Sequence, residues 1–355
     1  MKPNRIAYID NIKVFLTCLV VAHHAAQAYG PTGGVWVVDD PFKAQWLGKF
    51  FFVNASYMMG LYFFISGYFM VFSIRNKTAT IFLKDRLKRL GIPLLFFTFL
   101  VFLPFNYLGA DKPGNLVSFF LDTYFNKPPI ATGHLWFVAS LLVYSIFYLV
   151  CCHKLFLKWA SGNRSLKVLH LLVFAAIIIL FGAVIRTWYP IDAWRTWVIP
   201  IEPAHLPQYL LLFLAGTYFH HANWLIELSW KHALPFIVLT VIGYSTSSYW
   251  IGSAFSQWIS EPLLETLLCL SISISLMVGF RQGFNQSNSL MKLLSDNAYG
   301  IYLVHLLLVI ALQIVVLDLN WNPNLKFIVV TVVGIGSSLL VSHLLRKIPA
   351  VKRII

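Results

Sequence analysis

A chain of 355 residues that is 59% hydrophobic and only 11% charged lies far from the soluble average of about 25% charged residues, which excludes an ordinary soluble domain. Its formal net charge of +14 would suit a nucleic-acid binder, but the basic residues gather in alternate loops between apolar stretches, so nucleic acid is not an expected partner. Ten-residue segments of alternating hydrophobicity do not occur, which disfavours an outer-membrane barrel and leaves a helical bundle.

Taken in order, the apolar stretches predict ten membrane spans near 11–29, 50–74, 90–109, 133–152, 167–186, 206–221, 234–251, 262–281, 297–317 and 325–345. The expected fold is therefore all-α and polytopic, a single integral membrane domain over 1–355 whose first partner is the lipid bilayer. No small-residue cleavage site follows Ala22, so the first span is read as a retained helix and not as a signal peptide. An even number of spans places both termini on one side. Lys2, Arg5, the basic run from Arg75 to Arg89, the run from Lys154 to Lys167 and the C-terminal Arg346, Lys347, Lys352 and Arg353 share that side. Asp39, Asp40, Asp111, Asp122, Asp192, Glu202, Glu261, Glu265 and Asp318 fall on the other, and the positive-inside rule then makes both termini cytoplasmic. The outer loops 30–49 and 110–132 are rich in Gly, Pro, Asp and aromatic residues, as structured caps over a cavity would be. Cys18, Cys151, Cys152 and Cys269 sit in or beside apolar stretches without metal-type spacing and are read as packing thiols.

The first span, Tyr8 to Gln27, carries Lys13 near its start and His23 and His24 deeper in. Ionisable groups at bilayer depth cost roughly 2.5–3.5 kcal/mol on insertion scales, so they persist mainly along cavities and pathways. At about 100° and 1.5 Å per residue, Lys13 and His24 share one helix face about 16 Å apart, with His23 about 80° off that line. Past the second span, Arg86 and Arg89 stand three apart just before Pro93. In a regular helix they would lie side by side, able to grip phosphate bidentately or to anchor on anionic headgroups. His134 and Trp136 open the fourth span at the outer surface, and Glu202 and His205 precede the sixth. Both groups suit either an interfacial belt or the mouth of a substrate site. In the ninth span Tyr302 and His305 are one turn apart, at about the depth of His24, and serve either chemistry or interhelical hydrogen bonding. Walker-type loops, HExxH, GxSxG and CxxC are absent, and no metal site is expected.

These residues resemble the acyltransferase-3 superfamily of integral membrane O-acyltransferases, the OafA and OpgC type, over nearly the whole chain. The first-span pattern Ile9-Asp10-x-x-Lys13 followed by ten residues and His24 is similar to the family's Arg/Lys-x10-His signature, with Lys13 where the family usually has Arg. Supporting segments are Phe63-Phe64-Ile65-Ser66-Gly67, Arg86-x-x-Arg89 with Pro93, His134-x-Trp136-Phe137, Gln208-Tyr209 with Phe213 and Gly216, and Tyr299-Gly-Ile-Tyr302-Leu-Val-His305. The resemblance implies transfer of an acyl group, acetyl or succinyl, from cytoplasmic acyl-CoA to a hydroxyl, typically on an envelope carbohydrate, in a bacterial inner membrane. It implies that Arg86, Arg89 and Ser66 serve the donor, Lys13 guards the passage, His24 is the general base, and Tyr302 or His305 stabilises charge on the thioester oxygen. His134, Trp136, His205 and Glu202 would line the acceptor side. An acyl-histidine intermediate and direct transfer are both compatible with these residues.

A polytopic carrier that relays protons through its buried histidines without covalent chemistry is the alternative. The lack of a visible internal repeat counts against it.

Overall fold

The computed structural model describes residues 6–32, 36–75, 77–110, 114–127, 132–159, 165–250 and 254–355. Lys2, Arg5, Asp111 and Arg164, used above for topology, lie outside the described residues, as do 128–131 of the second expected outer loop. The elements are α1 (Ala7–Ala26), α2 (Leu47–Ile74), α3 (Ala79–Gly109), α4 (Leu116–Asn126), α5 (Gly133–Lys158), α6 (Val168–Arg186), β1 (Arg195–Thr196), β2 (Pro200–Ile201), α7 (Leu206–Ala222), α8 (Trp230–Trp250), α9 (Ala254–Gly283), α10 (Ser289–Leu317), α11 (Pro323–Leu345) and α12 (Pro349–Lys352). The fold is all-α and polytopic. Eight helices among the described residues are long and apolar enough to cross a membrane: α1, α2, α3, α5, α6, α9 from Trp258, α10 and α11. The sixth and seventh expected spans are helical too, as α7 and α8, but are not among these eight; α7 has only 17 residues.

Two compact units make up the chain. The first comprises residues 1–58 and 276–353 with Ile355. Here α10 packs on α11, and α1 packs on both. Small residues set how closely they approach: a methyl on Gly334 would meet Val309 and Val21 at 3.3 and 3.4 Å, and Val21, Val309 and Val330 are fully buried. Near the start of α10 and the end of α11, the Ser342 hydroxyl donates to Asn297 Oδ1 at 2.9 Å. Asn11 of α1 donates to the carbonyls of Phe284 and Gln286 at 2.7 and 2.9 Å, satisfying acceptors just past the end of α9. The described part of the loop between α1 and α2 is tied back to the end of α1. Its Asp40 N–H donates to the Ala28 carbonyl, and its Ala44 N–H to that of Tyr29. Its Asp40 carboxylate is ion-paired at 2.6 Å with Lys326 of α11, both side chains essentially solvent-free.

The second unit comprises residues 59–275 with Ile354. Its α2 and α7 cross so closely that a methyl on Gly67 would overlap the Phe213 carbonyl, and one on Gly216 the Phe64 carbonyl. Glycine at both positions is thus the condition for this crossing. Around it, the Phe63 ring packs on Phe137, Tyr209 and Tyr144 at 4.7, 5.1 and 5.2 Å. Two segments of α3 widen into π turns, Leu87–Gly91 and Phe97–Phe102, in which the Ile92 N–H reaches back to Leu87 O and the Leu103 N–H to Thr98 O. Each directly precedes a proline step, Pro93 and Pro104, where no N–H is available to continue the regular ladder. The cysteines form no disulfide. Cys152 and Cys269 are buried as expected of packing thiols, whereas Cys151 is exposed.

Candidate functional site

In the first unit the structure brings His24, Tyr302 and His305 together. His305 Nε2 lies 3.1 Å from His24 Nδ1, with ring centroids 5.0 Å apart, and Tyr302 is 5.9 Å from the His305 ring. The partners of the rings fix their tautomers. His305 Nδ1 is 2.7 Å from the Tyr302 carbonyl, which only accepts, so Nδ1 carries the hydrogen and Nε2 of the neutral ring is an acceptor. His24 Nδ1 therefore donates to His305 Nε2, and it is also 3.0 Å from the Val20 carbonyl one turn back. Two separate acceptors thus assign the His24 hydrogen to Nδ1. The lone pair of neutral His24 sits on Nε2, the atom a proton acceptor needs.

The backbone of His24 is held as well. Gln313, eight residues beyond His305 in α10, donates from Nε2 to the carbonyls of His24 and Ala25 at 3.0 and 3.1 Å. Its Oε1 accepts the indole N–H of Trp36 at 2.9 Å, and the Trp36 ring lies 5.7 Å from that of His24. Neither Gln313 nor Trp36 was expected from sequence. The available signal was one amide inside the apolar run Leu306 to Leu317, since a buried amide needs partners. His23 turns elsewhere, its ring edge-on to Phe51 at 5.3 Å. Lys13 pairs with Asp10 at 3.0 Å, three residues back on the same helix.

In the second unit a separate charged group surrounds His205, which lies in the turn before α7 and outside the eight helices long and apolar enough to cross a membrane. Its Nδ1 is 2.9 Å from Glu202 Oε2 and its Nε2 is 2.8 Å from Glu265 Oε1. The other Glu265 oxygen is paired with Arg186, and Glu202 Oε1 accepts the Asp192 N–H at 2.7 Å. Burial opposes the charged form of His205, but the Glu265 and Glu202 carboxylates outweigh it and push the imidazole up to about 10. Burial likewise raises the Glu202 carboxyl, and His205 beside it brings it below its usual value. A ladder of rings continues from this group: His205 stacks on Tyr209 at 5.6 Å, Tyr209 on Trp136 at 5.7 Å, and Trp194 meets Trp136 edge-on at 5.7 Å. Of the expected acceptor residues, Glu202, His205 and Trp136 are therefore linked. His134 is buried, edge-on to Phe102 at 5.9 Å. Glu265 and Arg186 were missed as site residues, although a carboxylate within an apolar helix was a legible signal.

Arg86 and Arg89 straddle the start of the first π turn of α3. A regular helix would set them about 300° apart, and the wider turn alters that angle. Arg86 is half-buried with its guanidinium 5.1 Å from the Phe82 ring, whereas Arg89 is exposed. Ser66 is half-buried beside the Gly67 crossing point.

The acyltransferase domain family matches residues 6–343. The chain belongs to the acyltransferase-3 family. Among relatives of this acyltransferase, "Glucans biosynthesis protein C" of Escherichia coli O139:H28 is 23% identical over 312 residues, covering 84% of this chain and 80% of the relative. The protein of the same name from Shigella dysenteriae serotype 1 is 25% identical over 187 residues, covering 50% of this chain and 48% of the relative. No solved structure matches the chain significantly. Membership makes this chain a multi-pass membrane transferase of acyl groups, as its sequence led us to expect.

Proposed function

We propose that the protein is an acyl-CoA-dependent O-acyltransferase of a bacterial inner membrane, with both termini cytoplasmic, and that it moves an acetyl or succinyl group to a hydroxyl of an envelope carbohydrate. The observation that carries the chemistry is the 3.1 Å contact between His305 Nε2 and His24 Nδ1, which leaves the His24 Nε2 lone pair as the base. The name glucans biosynthesis protein C, shared by the relatives, supports a glucan-type acceptor.

In this reading the acceptor O–H gives its proton to His24 Nε2 while its oxygen bonds to the thioester carbonyl carbon. The carbonyl oxygen gains negative charge, and the Tyr302 hydroxyl is the assigned donor toward it, since both His305 nitrogens face protein atoms. Collapse breaks the C–S bond, and the proton held by His24 leaves with the CoA sulfur. His305 accepts from His24 Nδ1 throughout and steadies the imidazolium, as an orienting partner does in other acyl transfers. Arg86, Arg89 and Ser66 are assigned to the donor, with the guanidiniums on CoA phosphates. Lys13 is assigned to the passage between the cytoplasm and His24. His134, Trp136, His205 and Glu202 are assigned to the acceptor, where ring faces and paired carboxylates suit a sugar.

The test is purified protein in lipid nanodiscs, given radiolabelled acetyl-CoA or succinyl-CoA and a glucan oligosaccharide. Label in the glucan with stoichiometric CoA release, both lost in His24→Ala, is the expected result. Movement of a labelled solute in proteoliposomes without CoA release would replace this reading with a carrier.

A further inference from the structure

We propose that Gln313 is a positioning residue for His24, gripping the backbone of the same residue whose imidazole His305 holds. This rests on His24 being the proton acceptor. Helix α1 ends at Ala26, so carbonyls of its last turn draw on donors outside the regular ladder, although that of Ala26 still receives the Gly30 N–H at 2.9 Å. That of His24 receives the Gln27 N–H only at 3.3 Å. Gln313, fully buried, supplies the missing donors at 3.0 and 3.1 Å and accepts from Trp36 at 2.9 Å. The orientation of its amide is forced, because carbonyls only accept and an indole N–H only donates.

Side chains tilt toward the N-terminus of a helix and carbonyls point toward its C-terminus. One residue of α1 can therefore be held at two levels by a parallel helix, its ring by His305 and its carbonyl by Gln313, about 12 Å apart along α10. Through Trp36, Gln313 also fixes an aromatic ring 5.7 Å from the imidazole. On apolar burial alone a leucine would serve this position, so the amide points to placement of His24.

The test compares wild type, Gln313→Leu, Gln313→Glu and Trp36→Phe in nanodiscs, reading kcat and KM for acyl-CoA. The rate of His24 carbethoxylation by diethyl pyrocarbonate, followed by peptide mass spectrometry, is a readout that needs no turnover. Gln313→Leu should lower kcat about 10- to 100-fold with KM unchanged. Gln313→Glu, isosteric but unable to donate to the carbonyls when ionised, should lose as much. Trp36→Phe should lose less, and adding it to Gln313→Leu should cost nothing further, because the two act as one unit. Carbethoxylation of His24 should change in rate in the Gln313 variants. Unchanged kcat together with an unchanged labelling rate overturns the proposal, and so does a purely KM effect. If His24→Ala retains transfer, the base assignment has failed instead, and the labelling rate alone then decides for or against Gln313.

Discussion

His24 donates through Nδ1 to His305 Nε2 across 3.1 Å, while His305 spends its own Nδ1 hydrogen on the Tyr302 carbonyl at 2.7 Å. Under the proposed function the two imidazoles have different duties, His24 accepting a proton at Nε2 and His305 orienting it. Removing the base should be the more severe change. His24→Ala is expected to lower kcat by about 10²–10⁴-fold, the usual worth of general base catalysis. His305→Ala should lower it less and shift the acidic limb of the kcat/KM pH profile, because His24 loses the acceptor that stabilises its protonated form. Steady-state CoA release across pH measures both, and equal losses with an unmoved profile would refute the division of labour.

The pairing of His24 with His305 was legible as matched depths on two apolar helices, because a 3.6-residue period fixes depth and face along each helix. Which nitrogen carries each hydrogen was not, since that depends on carbonyls of Val20 and Tyr302 whose positions only the folded helices define. The reach of Gln313 to α1 was hidden for the same reason, as sequence gives no crossing geometry. For Arg86 and Arg89 a regular helix was assumed, and the π turn ahead of Pro93 altered the angle between them. Glu265, read as an outer-loop acid, lies inside α9 against His205 and Arg186. The span expected over 262–281 already contained it, so the rule that membrane-embedded charges are functional could have singled it out.

The His205 group sets a pH limit. Its imidazole sits near 10 in the folded protein against an ordinary 6.5, raised by Glu265 and Glu202 against burial. A group whose folded value is raised contributes stability that is fully present below the unfolded value and lost as pH rises through the folded one. Wild-type melting temperature in detergent should therefore hold this contribution below about pH 6.5 and surrender it progressively toward pH 10. His205→Gln should melt lower at neutral pH and lose less between pH 6.5 and 10. Parallel pH curves for the two proteins would show that His205 does not carry the charge.

Crossing of α2 and α7 tolerates no side chain at Gly67 or Gly216, since a methyl at either is driven into a backbone carbonyl of the other helix. Backbone cannot swing aside as a side-chain tip can, so each alanine must push the helices apart. Gly67→Ala and Gly216→Ala are each expected to cost at least about 1–3 kcal/mol, the usual range for overpacking. Melting temperature and monodisperse yield report it. A Gly67→Ala protein as stable as wild type would mean that the crossing is looser than van der Waals contact at about 3.5–4.0 Å requires.

Lys326 and Asp40 make the starkest electrostatic commitment in the first unit: an ion pair at 2.6 Å with side chains 2% and 0% exposed. Lys326 also donates to the Leu317 carbonyl at the end of α10, at 2.8 Å, and the Asp40 backbone is tied to Ala28 just past α1. The pair thus joins α10 and α11 to the loop that carries Trp36. Breaking it from one side strands a buried charge, so Lys326→Met should destabilise by about 3–5 kcal/mol. Lys326→Met combined with Asp40→Asn removes both charges and should recover much of that loss, because the stranded carboxylate is the larger penalty. A double-mutant cycle on melting temperature reads the coupling directly. Additive losses would mean that the two side chains contribute independently and that the loop is held by its backbone hydrogen bonds alone.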